Sequence, residues 1–413
     1  MESFGNLTKD ELRELQRFYD ETVNFERKIG IIIPSIFAII ILVGIIGNAL
    51  VVVVALGRQM RNSTNTLIIG LAISDLMFLL LCIPFTAVDY AVPVWLFPEW
   101  TCSMINFFQH TSAYSSVWTL TLMAFDRYLA VVYPVESMTL RTPKNTTICL
   151  VVMYTIIIAS QIPVGLMHGI YTYDFIMEKR STCAVLSIAQ ATATRAQALA
   201  YFMTFNVFGY LLPLGISVFL YQRMLSRLWN TPRPGNEQNQ VQQSASLKVR
   251  PEARRAKKKV TRLVLCVLII WALCWLPLNV CFFLSGLSYP EPLVISYGVV
   301  MVIVQISSQV LAYMNSCLNP ILYALMSETF RKGFIRIIKL IFWKASCGRY
   351  CFHDDKASLR LELTHVNNVT SSMRNVTGER AQLLKEMNGG TTKSVKEHFT
   401  RPRHFLKKLQ SVD

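Results

Sequence analysis

The stretch CSMINFFQHTSAYSSVWTLTLMAFDRYLAVVYP, residues 102–134, decides the fold. As a helix rising 1.5 Å per residue, it separates Cys102 from Arg127 by about 37 Å, more than the roughly 30 Å of a bilayer's hydrocarbon core. The cysteine and the Asp-Arg-Tyr triplet at 126–128 are therefore expected on opposite sides of a membrane. Polar side chains within the stretch, including Gln109 and Ser116, are costly against lipid. We predict a central helix that faces protein on most sides.

The rest of the chain supplies the helices around it. Of 413 residues, 53% are hydrophobic and only 16% are charged, whereas soluble proteins carry about 25% charged residues. The apolar residues are concentrated in seven runs, each long enough to span a bilayer. These are Ile31–Leu56, Leu67–Val88, Met104–Tyr133, Ile148–Met167, Ala198–Leu220, Val260–Leu284 and Leu293–Met326. The sequence predicts an all-α membrane protein, a seven-transmembrane helix bundle.

The distribution of basic residues predicts the orientation. Few of the 41 lysine and arginine residues lie in the N-terminal tail or in the loops on its side of the membrane. The positive-inside rule then places the N-terminus outside the cell and the C-terminus in the cytoplasm. The net charge of +16 is accordingly a topology signal, with anionic membrane lipid rather than nucleic acid as its partner.

The domain organisation follows from these spans. We expect an extracellular tail over residues 1–29, the seven-helix membrane bundle over 30–326 with a disordered cytoplasmic loop at 226–256, a membrane-surface helix at 327–346, and a disordered tail at 347–413. The surface helix is predicted from apolar residues at helical spacing opposite a basic face.

Smaller features mark the two sides of the membrane. Cys102 and Cys183 are the outward-facing cysteines, so we predict a disulfide between them, with a short hairpin YTYDF–EKR–STCAV turning at EKR. Asn6 begins an N-L-T glycosylation acceptor. On the cytoplasmic side, Cys347 and Cys351 are candidate acylation sites.

A set of short motifs in a fixed order indicates the protein family. They are Asn48 in GIIGNAL, LAISD at 71–75, Cys102, the Asp-Arg-Tyr triplet, Pro213, CWLP at 274–277 and NPILY at 319–323. With these motifs the chain resembles the rhodopsin-like G-protein-coupled receptors. The phrase WTLTLMAFDRYLAVVYPVESMTLRTPKN is most similar to the allatostatin-A and galanin receptor group. Three positions depart from the family pattern: Tyr154 stands where most members have Trp, Trp271 where a Phe is usual, and Lys257 where some receptors place an acid that holds the arginine of the triplet.

The resemblance implies a set of activation-switch residues. Arg127 with its neighbouring carboxylate is the expected G-protein dock, and Trp275 beside the helix-breaking Pro277 is the expected hinge. The full predicted set is Asp126, Arg127, Tyr128, Pro213, Tyr221, Trp271, Trp275, Pro277, Asn319, Pro320 and Tyr323.

The resemblance also narrows the class of ligand. Gln109 occupies the position where amine receptors carry an Asp, and Tyr313 the position where opsins carry the retinal-linking Lys. Gln109 argues against an amine receptor and suits a peptide's backbone groups, and Tyr313 argues against a light receptor. The predicted ligand-binding residues are Gln109, Asn279, Phe282, Gln309 and Tyr313.

The function implied is that of a receptor for a short, amidated neuropeptide of the allatostatin-A or galanin type. It would activate a heterotrimeric G protein, of the inhibitory Gi/o type, at the plasma membrane. Arrestin and receptor kinases are expected partners of the Ser/Thr-containing tail. The alternatives are a receptor for a somatostatin- or kisspeptin-like peptide or, from another class, a transporter. Transporters often carry internal repeats, of which the sequence shows none. An enzyme is not expected, since His110 has no carboxylate or Cys at ligand spacing.

Asp75 is a carboxylate in the middle of a span, and the cost of its charge within the membrane has to be offset by polar or charged partners. Neutral oxygen-bearing residues on other spans are such partners: Ser116, Asn315, Ser316, Asn319 and Asn48. Such hard oxygen ligands suit a small cation. We therefore expect an allosteric sodium ion at Asp75, Ser116, Asn315, Ser316 and Asn319, and no other cofactor.

Overall fold

The structure is a computed structural model that describes residues 8–57, 60–176, 178–229 and 251–345. The helices of this part are α1 (Lys9–Ala55), α2 (Ser63–Leu81), α3 (Ile83–Ala91), α4 (Glu99–Val132), α5 (Pro143–Leu166), α6 (Leu186–Ala189), α7 (Arg195–Asn206), α8 (Leu212–Trp229), α9 (Pro251–Ser288), α10 (Leu293–Met326) and α11 (Glu328–Ala345). Strands β1 (His168–Phe175) and β2 (Glu178–Val185) lie between α5 and α6. Residues from Ile338 onward form a unit of their own, of which the end of α11 is described.

Helix α1 begins far ahead of the first apolar run. The Thr8 hydroxyl accepts from the backbone N–H of Glu11, and the Glu11 carboxylate accepts from the backbone N–H of Thr8. This capping box satisfies backbone groups that a helix start otherwise leaves open. The segment predicted as an extracellular tail therefore contains a helix, from Lys9, that continues unbroken into the first span.

Helix α4 is the central element that its polar residues predict. It packs against α2, α5 and α8, and it buries polar side chains along its length. Among the described residues, six helical segments are long and apolar enough to cross a membrane by hydropathy, and α4 is not one of them. Its low hydropathy reflects residues such as Thr111, Ser115 and Thr119, which are buried against other helices rather than lipid. With α4 as the seventh, the seven-helix bundle is confirmed.

The end of the bundle that the basic residues predict to face outward is covered by the β1–β2 hairpin. The strands are antiparallel, with Ile170 opposite Cys183, and Cys183 forms the predicted disulfide with Cys102 at a Cα–Cα distance of 5.5 Å. The predicted turn is wrong in position, because EKR (178–180) lies in β2 and the chain reverses around Ile176, which has a positive φ of 53°. Pairing of Phe175 with Glu178 carries the ladder to the end of both strands.

Proline and glycine mark the irregular points of the bundle. Pro84 lies in the first turn of α3, and α2 and α3 separate at Cys82, as a helix-interrupting proline predicts. A π-helical turn, Val207–Leu211, joins α7 to α8 just before Pro213. In α10, Gly298 adopts a φ of 57°, a conformation that glycine tolerates, and the helix breaks there.

Parts of the predicted loop and tail are helical. Helix α8 continues to Trp229 and α9 begins at Pro251, so both ends of the 226–256 loop are helix, and residues 230–250 lie outside the described residues. Helix α11 lies close to its predicted bounds, and Phe330 stacks on Tyr323 with ring centroids 5.4 Å apart. Asn6, Cys347, Cys351 and the 347–413 tail lie outside the described residues.

Candidate functional site

A polar network joins three helices within the bundle. The Tyr313 hydroxyl accepts hydrogen bonds from the side-chain amides of Gln109 (2.8 Å) and Gln309 (2.7 Å). The Tyr90 hydroxyl donates to Gln309 Oε1 at 2.5 Å. The Tyr313 ring stacks on the Phe37 ring, with centroids 5.4 Å apart. Three of the predicted ligand residues thus meet, and Tyr90 is a member that sequence reasoning missed.

The other two predicted ligand residues lie in a separate aromatic cluster. The Asn279 amide donates to the carbonyl of Trp275 at 2.9 Å, and its Oδ1 is buried without a partner among the described residues. Phe282 packs on Phe205 and Phe202, with centroids 5.4 and 5.9 Å apart. Asn279 and Phe282 therefore belong to the α7–α9 side, whereas Gln109, Gln309 and Tyr313 join α4 to α10.

Two histidines lie near the base of the hairpin. The rings of His110 and His168 are 6.0 Å apart, and the Tyr201 hydroxyl lies 3.4 Å from His168 Nε2. His168 Nδ1 lies 2.7 Å from the Val164 carbonyl oxygen and donates to it. Burial lowers the pKa of His168, although the hydrogen bond to Val164 opposes this effect. His168 is thus favoured in its neutral form.

The expected hinge residues occupy the middle of the bundle. Trp271 is almost fully buried and packs against Tyr210 at 5.3 Å, and the Tyr210 hydroxyl donates to the Ala272 carbonyl at 2.9 Å. Trp275 touches Phe205, with centroids 6.1 Å apart, which brings it next to the aromatic cluster around Phe282. Pro277 lies inside α9 two residues further on. Trp275 therefore connects the outer cluster to the helix whose backbone Pro277 interrupts.

At the inner end of α4, Asp126 is the centre of a larger network than the sequence indicates. Arg127 contacts Asp126, and Arg141 donates to the same carboxylate at 2.9 and 3.3 Å. The hydroxyls of Ser63 and Thr64 each donate to it at 2.8 Å. Asp126 is therefore held by two cations and two hydroxyls, three of which sequence reasoning missed.

The tyrosines of the predicted switch set take different positions. The hydroxyls of Tyr221 and Tyr323 are buried without a hydrogen-bond partner among the described residues. Tyr128 instead packs edge-on against Tyr133, with centroids 6.0 Å apart. Tyr221 and Tyr323 thus keep unpartnered hydroxyls inside the described bundle, whereas Tyr128 packs on Tyr133.

A second polar cluster surrounds Asp75. The carboxylate accepts from Asn319 at 2.8 Å and from Ser116 at 3.3 Å. Asn48 donates to the Ser316 carbonyl at 2.9 Å, and the Oδ1 atoms of Asn48 and Asn315 are buried without a partner among the described residues. One carboxylate and unpartnered amide oxygens are the donors that a hard cation takes, so the residues fit sodium.

Tyr154 links the neighbouring helices on the other side of this cluster. Its hydroxyl lies 3.3 Å from the Ser74 hydroxyl and 2.9 Å from the Thr119 hydroxyl. A phenol that can both donate and accept thus joins α2, α4 and α5.

The hairpin is fixed to the N-terminal part of α1 by Arg180. This arginine, whose side chain is 5% exposed, bonds Glu26 and Glu178, each at 2.6 Å, and its guanidinium lies 3.8 Å from the centre of the Phe175 ring. Burial opposes the charge, but the bonds to Glu26 and Glu178 outweigh it and raise the pKa of Arg180. The contact holds the helix against the hairpin.

Comparison with known proteins identifies the class. Residues 47–323 match the family model of the seven-transmembrane receptors of the rhodopsin family. The chain is 70% identical over 401 residues to the galanin-like G-protein coupled receptor npr-9 of Caenorhabditis elegans, covering 94% of this chain and 93% of that one. It is 40% identical to the allatostatin-A receptor of Bombyx mori, over 76% of this chain and 81% of the relative. Galanin receptor type 2 of Mus musculus is 34% identical, over 78% and 81%.

The chain therefore belongs to the rhodopsin family of seven-transmembrane receptors and, within it, to the group of galanin-like and allatostatin-A receptors. It is a multi-pass plasma-membrane protein, and its family consists of receptors rather than enzymes. Within the described residues, no group of three or more His, Cys, Asp or Glu side chains is placed to hold a metal ion.

Proposed function

We propose that this chain is a receptor for a short neuropeptide of the galanin or allatostatin-A type, bound from outside the cell. The observation that carries the proposal is the neutral network of Gln109, Gln309, Tyr313 and Tyr90. Amide and phenol groups of this kind pair with a peptide backbone, which both donates and accepts hydrogen bonds. The names of the relatives supply the ligand class.

A peptide panel tests this function. Cells expressing the chain are exposed to galanin and allatostatin-A peptides, to other amidated neuropeptides including somatostatin- and kisspeptin-like ones, and to amines, with cyclic AMP as the readout. We expect a galanin or allatostatin-A peptide to evoke the strongest cyclic AMP response and amines to evoke none. Activation by amines alone would refute the proposal.

Gln109→Ala tests the network itself. The change removes one of the two amides that bond Tyr313, and it should weaken peptide potency by about tenfold at unchanged surface expression, in the range of a lost polar contact. Gln190→Ala, an amide in the outer loop, is the matched control. Equal potency of the Gln109 variant and the control would exclude Gln109 from the site.

Signalling is proposed to pass to a heterotrimeric G protein, of the Gi/o type, through the Asp126 network. Arg127 is buried against Asp126, and outward motion of α9 would open a groove beside it. Arg127→Ala should abolish nucleotide exchange on the G protein while the receptor still reaches the surface. Arrestin and receptor kinases are proposed as partners of the C-terminal segment.

We further propose that Asp75 binds sodium in the resting state, with Ser116, Asn315, Ser316 and Asn319 as the surrounding ligands. The unpartnered amide oxygen of Asn315 supports this proposal. An ion that binds the resting state better than the active one shifts the equilibrium toward rest.

A further inference from the structure

A carboxylate at the outer end of α3 has no partner. Asp89 is half-buried, and it takes part in no hydrogen bond or ion pair with any residue that the structure describes. A carboxylate withdrawn from water is costly unless a cation or hydrogen-bond donors compensate for it. Asp89 therefore has an unused capacity to bind a positive group.

Asp89 lies on the part of α3 that borders the ligand network. Thr86 lies near Tyr313, and Tyr90 bonds Gln309. Thr86 and Tyr90 are four residues apart and share a face of the helix, and Asp89, three residues after Thr86, lies at the edge of that face and one turn further out than Thr86. It is placed at the outer rim of the Gln109–Gln309–Tyr313 network.

A second unpartnered polar group lies beside this end of α3. The indole N–H of Trp95 is buried without an acceptor among the described residues. Trp95 packs on Phe97, and Phe97 packs on Phe85, one turn before Asp89, with centroids 5.5 and 4.9 Å apart. The Trp95 backbone N–H also donates to Ser181 Oγ at 2.8 Å, which ties this loop to the hairpin. These contacts hold the loop at Trp95 in place beside the end of α3.

The buried arginine of the hairpin is already engaged. Arg180 bonds Glu26 and Glu178 and contacts Phe175. Two carboxylates balance this one guanidinium, so it has no remaining charge to offer Asp89. Arg27 and Lys28 of α1 are exposed, and neither pairs with Asp89 among the described residues. A positive group of a bound ligand can therefore complete Asp89.

We infer that Asp89 is a ligand-binding residue that pairs with a cationic group of the peptide, a guanidinium or an ammonium, at the outer rim of the cavity. The aromatic ring of Phe85, one turn before Asp89 on α3, suits such a group, since cations are attracted to ring faces. The inference rests on the proposed peptide function and adds to it the charge of one contact group. A receptor of this kind discriminates between charged and uncharged forms of one ligand.

The test pairs a receptor change with a ligand change. Asp89→Asn keeps the size of the side chain and removes its charge. The ligands are galanin and allatostatin-A peptides, each compared with analogues in which the terminal amine is acetylated or one Arg or Lys is replaced by neutral citrulline or norleucine. The wild-type receptor should lose about 30-fold in affinity or more with one neutral analogue, as for loss of one partner of a buried charge pair. The Asp89→Asn variant should bind the parent and that analogue equally well.

The matched control is Glu99→Gln, an exposed acid at the start of α4. It removes the same charge from the same side of the protein and should leave the difference between parent and analogue intact. If Asp89→Asn weakens every ligand equally, or none, Asp89 does not pair with a ligand cation.

A second measurement does not depend on knowing the peptide. Purified full-length receptor is titrated with N-acetyl-arginine amide and with N-acetyl-citrulline amide, and binding is followed by thermal stabilisation. The arginine compound should bind the wild type at least about tenfold more tightly, and Asp89→Asn should abolish the preference. Equal binding, or none, overturns the inference. Failure of all peptides in the panel would instead refute the proposed peptide group and leave this result standing.

Discussion

Asn319 donates a hydrogen bond of 2.8 Å to Asp75, joining two residues that lie 244 positions apart in the chain. The contact fixes α10 to α2 at the point where Pro320 leaves α10 without one backbone donor. Gly47 of α1 lies directly against Pro320, where a Cβ would come within 2.8 Å of the proline ring. Three helices thus meet around the proposed sodium site.

The first prediction concerns sodium. Raising sodium at constant ionic strength should weaken agonist binding to the wild-type receptor by about fivefold or more, in the range of allosteric couplings. Asp75→Asn should abolish this dependence, because it removes the charged ligand. Radioligand competition in sodium and in a bulky organic cation measures the effect, with Asp174→Asn, an exposed acid of the hairpin, as control. Indifference of the wild type to sodium would contradict the proposed role.

A second prediction tests the hydroxyls around Asp126. Thr64→Val removes a hydrogen bond to a buried carboxylate at nearly unchanged shape and should lower stability by about 1.5–3 kcal/mol. Thr66→Val is the control, because the Thr66 hydroxyl bonds only to its own helix, at the Asn62 carbonyl. Thermal unfolding of the purified receptor compares the two. Equal losses would show that Asp126 gains nothing from Thr64.

The pH dependence of stability should carry a contribution from His168. Burial lowers its pKa, so the folded state binds the proton less readily than the unfolded chain does. Stability is therefore expected to fall as the pH drops below about 6.5, the ordinary value in an unfolded chain, and toward the lower folded value. The groups facing His168 are His110 of α4 and Tyr201 of α7.

His168→Gln should flatten this acid loss, as seen in unfolding temperatures between pH 5 and 7.5. His353→Gln, in the segment beyond α11, is the matched change of the same residue type. If the wild type and the His168 variant lose stability in parallel, His168 does not contribute.

Arg180 should control the order of the N-terminal part of α1. Arg180→Ala leaves Glu26 and Glu178 without their cation, so amide exchange around Glu26 should rise at least fivefold, which corresponds to about 1 kcal/mol. Arg27→Ala removes an exposed charge from the same helix and should have little effect. Hydrogen exchange followed by mass spectrometry gives both values. Unchanged exchange in the Arg180 variant would mean that other contacts hold the helix.

The sequence predicts the bundle well because span length and polarity are local properties. Even α4, too polar for a hydropathy criterion, is identified by its buried-type polar residues and by its two distinct ends. The disulfide between Cys102 and Cys183 follows from topology alone. Pro84 and Pro277 likewise predict, from the sequence alone, where the backbone hydrogen bonding of a helix is interrupted.

The partners within the bundle are less predictable because they depend on helix rotation and on residues far apart in sequence. Arg141, Ser63 and Thr64 surround Asp126 only after α2, α4 and the loop that carries Arg141 have packed together. Tyr128 is adjacent to Arg127 in sequence, yet it turns toward Tyr133. The shift of the hairpin turn has the same origin, since cross-strand pairing rather than local charge determines where a ladder ends.

The length of α1 has a consequence for how the receptor meets its surroundings. Its 47 residues extend about 70 Å, while the hydrocarbon layer takes up roughly 30 Å. The part from Lys9 to Gly30 alone reaches about 32 Å, and the hairpin contacts it at Glu26 and Tyr19, so this part of the helix is long enough to extend well beyond the hydrocarbon layer. A fluorophore or antibody attached at Lys9 would then lie well beyond the lipid headgroups. Its distance from the membrane would report the tilt of this part of α1.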